Sequence, residues 1–378
     1  MLGAFAIAAP NSGGSRVAGS AKARARRASL LGNDDFKRLM EMTSVSDIAV
    51  YLGKSAYAST LKGFALEEMH RSELEFLLEV SILEESVDFR HYTGMNDKKL
   101  LDIWLEYFDI MLFREHFRLK QETEEWDHHL SLDRMLDMAS DFRLTLIDKD
   151  KLLSADSLKD VVMAVKNDQL RVALFDAVRG GENPAITQSA ELQKADFDTG
   201  MILHRYYFNN LYTAVAGLGG IEGRLLRMLI GTRVDLMNIY WIYRARRFFD
   251  MSPEEALSLI IKARYRADFK LLRKIAFAPL NAMSSVLSGT PYSRVFEVEY
   301  TNTAQREVEI ERNIYRFIFA AAERVFLSGS IGFQNIAAYL TLKELEIRDL
   351  IIITEAVRYG YDKSRTVLLL VRPLGKVN

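Results

Sequence analysis

Residues 337–360, AAYLTLKELEIRDLIIITEAVRYG, carry apolar side chains at Leu342, Leu345, Ile352 and Ala356 and again at Leu340, Ile347, Leu350, Ile351 and Val357. Recurrence at three- and four-residue steps predicts a helix, and two such stripes leave little of its circumference polar. Gly360 supplies a stop, and Arg358 a cation for the last turn. Two acids break the apolar surface, Glu346 and Asp349; three residues apart, they share a face. Arg358 follows Asp349 by nine residues. The layout occurs twice more: Glu106, Asp109 and Arg118 within LDIWLEYFDIMLFREHFRLK, and Asp235, Asn238 and Arg247 within IGTRVDLMNIYWIYRARRFF.

A second segment precedes each of these helices. It reads SVSDIAVYLGKSAYASTL from Ser44, SLKDVVMAVKNDQLRVAL from Ser157 and PLNAMSSVLSGTPYSRVF from Pro279. Each begins with a residue suited to a helix start and breaks near Gly or Asn. Two different segments recurring in one order predict an internal triplication, with a period too long for a solenoid. The expected division is a flexible lead over 1–19, helical repeats over 20–125, 126–250 and 251–362, and a tail over 363–378. The fold class is all-α.

The rest of the chain fits this scheme. Residues 64–90 read as one charged helix, 303–326 as an amphipathic helix, and Gln188 to Val215 as another. Ser252-Pro253-Glu254-Glu255 is a helix start with its cap, first-turn proline and acids. Two short runs are β-like, Phe296 to Tyr300 and Thr366 to Val371. The opening is apolar over residues 3–9 and then basic, with Arg16, Lys22, Arg24, Arg26 and Arg27 ahead of the first acid, Asp34. A signal peptide needs the reverse order. An organelle transit peptide shares the Arg-rich, acid-free composition. The preferred reading is a flexible stretch followed by a first helix from Ser20 to Leu31.

Composition removes several chemistries. The 378 residues contain no cysteine, which excludes disulfides and thiolate sites. A net charge of −1 argues against a general nucleic-acid binder. No apolar run is long enough to span a bilayer, so any work at a membrane is done from the water side. Glu67–His70 and Glu125–His128 each match Glu-x-x-His, the half-motif of a di-metal carboxylate bundle, but that site needs two further inward glutamates. Gly217 to Gly223 resembles a dinucleotide loop, yet Glu222 takes a required glycine's place and a helix precedes it. The repeated acids suit a structural role. A buried acid must be paired, and nine residues of helix span about 13.5 Å, so Arg118, Arg247 and Arg358 cannot reach the acids of their own helices. Internal pairing across helices is expected, a partner surface being the alternative. Arg244, Arg246 and Arg247, with Arg264, Arg266, Lys270, Arg273 and Lys274, make a basic cluster that is either a solvated face or a patch for an acidic partner or anionic headgroups.

Two stretches carry a family resemblance. RVDLMNIYWIYRARRF, with Asp235, Asn238 and Arg244, and AAYLTLKELEIRDLIIITEAVR, with Ala338, Tyr339, Leu340, Lys343, Glu344, Glu346, Ile347 and Leu350, resemble the C subunit of V/A-type rotary ATPases, the counterpart of the d subunit of the vacuolar enzyme. Ala21 to Tyr57 is similar too, and the likeness covers about residues 20–362. Asp349 departs from it by standing where the family often has Asn. The resemblance implies three similar helical domains in a pseudo-threefold funnel on the cytoplasmic face of the membrane. It implies contact with the proteolipids of the rotor ring and with the central shaft, built from the D and F subunits. The membrane contact is then indirect, and no cofactor, metal or catalytic residue is implied. The alternatives from other classes are the di-metal enzyme and a general helical scaffold.

Overall fold

The structure, a computed structural model, describes residues 12–121, 146–179, 189–298 and 303–374. Seven helices are long: α1 Ser12–Ala28, α2 Arg71–Phe89, α3 Met95–Gln121, α4 Ser189–Ala216, α5 Gly220–Phe248, α6 Thr303–Phe326 and α7 Phe333–Tyr359. No strand occurs among the described residues, only an isolated bridge between Ile147 and Val165. The two β-like runs therefore resolve otherwise. Thr366 lies in the helix Lys363–Leu369, started by the Asp362 cap, and Phe296 ends the helix Ser293–Phe296. Residues 64–90 are also not one helix. Leu66–Glu68 is a 3₁₀ turn, and extended backbone at Met69 and His70 delays α2 until Arg71.

Helix packing closes on itself. α2 packs on α3, α3 on α4, α4 on α5, α5 on α6, α6 on α7, and α7 returns to α2. Near-total burial of α7 explains its nearly continuous apolar surface: it touches α1, α2, α5 and α6. Gly360, at φ 64°, ends it in the left-handed conformation that glycine tolerates best. The basic opening is part of this frame. α1 begins at Ser12, ahead of the expected Ser20, and its cations meet acids on other helices: Arg16 with Asp97 and Glu222, Lys22 and Arg26 with Asp88, Arg27 with Glu323.

Three short-helix bundles pack around the long helices. Residues 261–296 form a core with the second half of α5. Residues 146–174 lie against α3 and α4. Residues 31–61 lie against the second half of α7, together with Leu370 and Leu374 from the tail. The first repeated segment thus packs on the last long helix, and both ends of the chain meet there.

α5 crosses its bundle at very short range. A Cβ added to Gly231 would lie 2.5 Å from the Cβ of Tyr265. Gly231→Ala should destabilise by about 1–3 kcal/mol, whereas Gly14→Ala, in open space on α1, should stabilise by about 0.5–1 kcal/mol. Urea unfolding of both variants checks the contrast.

Candidate partner-binding cavity and its buried acid clasps

Five of the six paired residues are buried and Glu106 is half-buried, and their partners are mostly backbone N–H groups. Asp235 accepts from the amides of Tyr265 at 2.9 Å, Arg266 at 2.6 Å and Ala267 at 2.8 Å, and from the Tyr292 hydroxyl at 2.7 Å. One turn on, Asn238 accepts from the Ile261 amide at 2.7 Å and donates to the Ile261 carbonyl at 3.1 Å. In α7, Glu346 accepts from the Leu31 amide at 2.8 Å and the Tyr57 hydroxyl at 2.9 Å. Asp349 accepts from the amides of Val371 at 2.7 Å and Arg372 at 3.0 Å. In α3, Asp109 accepts from the Leu146 amide. Each helix therefore fastens the loop of its bundle through carboxylate or amide oxygens. The loop amides have no ladder to join, and the acids have no water, so each satisfies the other.

Tyr57 and Tyr292 stand in one register, thirteen residues past Ser44 and Pro279. Their local bonding also matches: Ser55 donates to Leu52 and accepts from the Tyr57 amide, as Thr290 does with Leu287 and Tyr292. The same register past Ser157 holds Leu170, which has no hydroxyl. Correspondingly, Glu106 Oε2 is buried without a hydrogen-bond partner. Burial, with Asp109 and Asp102 nearby, pushes the Glu106 carboxyl up to about 7. Asp349 is raised to about 6 by burial, against the pull of the Val371 and Arg372 amides.

The α7 clasp is the most elaborate. Arg372 reaches Glu346 at 3.4 Å and donates to the Leu31 carbonyl, joining tail, opening and helix. Lys343 is fully buried, its Nζ 3.4 Å above the Tyr57 ring and 3.7 Å from Glu85, which also accepts from the Tyr339 hydroxyl. Burial pushes the Lys343 ammonium down, against the pull of Glu85 and Glu346.

Inside the closed ring lies open space. A cavity of about 330 Å³ is lined by all six ring helices, among them Trp104, Tyr107, Tyr207, Tyr315, Leu340 and Ile351. A second, of about 440 Å³, shares Tyr107, Arg233 and Tyr315 with it. The wall is aromatic and carries the ion pairs Arg233–Glu344 at 2.6 Å and Arg348–Glu311 at 3.1 Å, while Arg244 and Glu355 of the wall pair behind it with Glu307 at 3.3 Å and Arg71 at 3.0 Å. His204 adds no charge near neutrality, since burial and Arg114 push its imidazolium down to about 4. The lining runs from Arg233 to Arg244 on α5, within its C-terminal half, and from Leu340 to Glu355 on α7. The N-terminal ends are drawn together instead: Ser20 accepts from the Gly332 amide at 3.0 Å, and Glu222 from the Phe333 amide at 2.7 Å.

The remaining sequence candidates fall elsewhere. Arg247 and Arg358 are exposed at helix ends, away from the acids, and the side chain of Arg118 lies outside the described residues. At Asp235, Asn238, Glu346 and Asp349 the recurring arginine is thus not what meets the acids. Arg372, outside the repeated layout, does so in one bundle. Glu67 and His70 are exposed and sit on a 3₁₀ turn and the N-cap of α2, not on one helical face. Glu125 and His128 lie outside the described residues, among which no group of His, Asp and Glu could hold a metal. The glycine run is the α4–α5 turn. Sequence reading passed over Tyr57, Tyr292, Glu85 and the Arg233–Glu344 pair; the shared tyrosine register was the available signal.

Tyr57→Phe and Tyr292→Phe should each cost about 1–3 kcal/mol, because each leaves a buried carboxylate oxygen without its hydroxyl. Glu106→Gln should behave oppositely. A raised folded pKa means that the folded state holds a proton the unfolded chain releases above its ordinary value of 4.5. Glu106 therefore supports the fold below about 4.5 and loses that contribution as pH rises through about 7. Glu106→Gln should gain about 1 kcal/mol over wild type at pH 8, discounted for partial exposure, and nothing at pH 4.5. Urea titrations at the two pH values measure this.

Known proteins share this chain's sequence along most of its length. The A-type ATP synthase C subunit of Methanobrevibacter smithii is 24% identical over 365 residues, covering 93% of this chain and 87% of the relative. The protein of the same name from Methanosphaera stadtmanae is 23% identical over 357 residues, covering 90% and 83%. That from Methanothermobacter thermautotrophicus is 23% identical over 367 residues, covering 95% and 86%. The family model of the ATP synthase (C/AC39) subunit matches residues 20–367, and the chain belongs to that family.

Proposed function

We propose that this chain is the non-catalytic connector of an A-type ATP synthase. It seats the central shaft, built from the D and F subunits, in the cavity between its long helices. It rests on the proteolipid rotor ring at the cytoplasmic face of the membrane and passes torque between the two for ion transport. The observation that carries this reading is the cavity itself, enclosed by a ring of helices that closes on itself. A seat for a turning shaft has to resist spreading, and packed helices with internal backbone bonds deform little. Aromatic walls with ion pairs can grip a helical partner, since aromatic and Arg side chains dominate binding at interfaces. At the opposite, drawn-together end, Val17, Ile221, Leu327 and Ile331 are exposed and suit contact with apolar ring loops. No described helix is long and apolar enough to cross a membrane, consistent with a contact made through the ring.

The absence of cysteine makes the test direct. Ile351→Cys, in the cavity wall, should form thiol-directed cross-links to the shaft in the assembled complex. Val172→Cys, exposed on the bundle 146–174, should not. Equal yields, or adducts from neither position, would remove the cavity from the coupling path.

A further inference from the structure

We infer that the outer wall of the bundle 261–296 on α5, around the helix Phe269–Phe277, is a docking surface for an acidic polypeptide distinct from whatever enters the cavity. Lys262, Arg264, Arg266, Lys270, Arg273 and Lys274 are all exposed there, and none forms an ion pair with another described residue. The one acid in the stretch, Asp268, is occupied as the helix cap, accepting from the Leu271 amide at 2.7 Å. This differs from the chain's other basic run. In α1, Arg16, Lys22, Arg26 and Arg27 all meet carboxylates inside the fold.

The patch also belongs to one bundle only. The matching stretches of the other two balance their charge: Lys37 and Arg38 against Asp34, Asp35 and Glu41, and Lys149 and Lys151 against Asp148, Asp150 and Asp156. An architectural need for cations would apply to all three.

The patch is built to grip. Leu272, Ile275 and Ala276 bury one face of the helix, leaving Phe269, Arg273 and Phe277 on consecutive turns of the other. The two phenylalanines are 49% and 48% exposed. Arg264 lies over the Phe269 ring at 5.9 Å, and Arg273 over the Phe277 ring at 5.5 Å. Stacked guanidiniums keep their N–H edges free and oriented for carboxylates, while the rings offer apolar area beside them.

Position separates this partner from both others. α5 turns Arg233, Met237, Tyr240 and Arg244 to the cavity. Its opposite side, with Asp235, Asn238 and Arg246, holds Tyr265 to Ala267, Ile261 and Ala278. The basic helix therefore backs onto the cavity wall and faces outward. Along α5, it lies about 20–37 Å beyond Ile221 at the apolar end. A flat bilayer meeting that end would not reach it, which favours a protein over a lipid surface.

The test places the photo-reactive phenylalanine analogue p-benzoylphenylalanine at Phe277 in the assembled complex, with the analogue at Val172 as control. Expected is an adduct, specific to Phe277, to a polypeptide segment of clear net negative charge. Its yield should fall about tenfold in Lys270→Glu/Arg273→Glu/Lys274→Glu. These side chains are exposed, so circular dichroism should show the triple variant folded as wild type. Adducts to lipid, to a second copy of this chain or to a neutral or basic segment would each overturn the assignment. So would no adduct, or a yield unmoved by charge reversal. Shaft cross-linking from Ile351→Cys reads out separately, so either proposal can fail alone.

Discussion

The structure depends on one arrangement: a carboxylate or amide placed mid-helix on a long apolar rod, aimed at the amides of a loop. A rod buried on nearly every side cannot say, by hydrophobicity alone, where its surrounding bundle should sit. Apolar contact is non-directional. A buried oxygen without a donor costs about 1–3 kcal/mol, more if it is charged, and this cost makes position specific. Asp235, with four donors, fixes Tyr265 to Ala267 and Tyr292 at once. Asn238, three residues on, fixes Ile261. The pair sets both the height and the rotation of the bundle on its helix.

Much of the fold was legible from residue spacing. The long helices show their period, Ser44 and Ser157 cap their helices through the amides of Asp47 and Asp160, and the acid pairs stand out against apolar surroundings. The acids' partners were not legible, for a physical reason. Backbone N–H groups carry no residue signature, so a sequence offers charged side chains as partners even where amides do the work. That is why Arg247 and Arg358 drew attention and turned out exposed. The pairing of bundles to helices was hidden for a different reason. Order along the chain suggests that a segment packs on the next long helix, yet Tyr57 bonds to Glu346, 289 residues away.

That long-range bond answers a problem of topology. A ring of helices made from one chain has a place where no covalent link joins neighbours, here between α7 and α2. The junction is crossed by a dense set of polar contacts. Tyr339 and Lys343 on α7 both meet Glu85 on α2, and Glu355 meets Arg71. α1 adds Arg27 to Glu323 on α6 and Ser20 to Gly332. The tail returns through Arg372 to Leu31 and Glu346. By contrast, the α3–α4 junction includes ring contacts, with Tyr107 tilted against Tyr207 and edge-on to His204.

The three bundles differ in ways that follow from this division of labour. The bundle at the ring junction, built from both chain ends, holds the largest clasp, including a lysine with no exposed surface. The bundle at α3 has a smaller clasp. It is also the one whose acid, Glu106, lacks the tyrosine hydroxyl that the other two clasps retain. The bundle at α5 keeps its clasp complete and carries its distinguishing feature on the outside, in cations without carboxylate partners among the described residues. The acid-to-amide bond is common to all three bundles. What sets the bundles apart is local: the tail's Arg372 at α7, a carboxyl without a hydroxyl donor at α3, and exposed cations at α5.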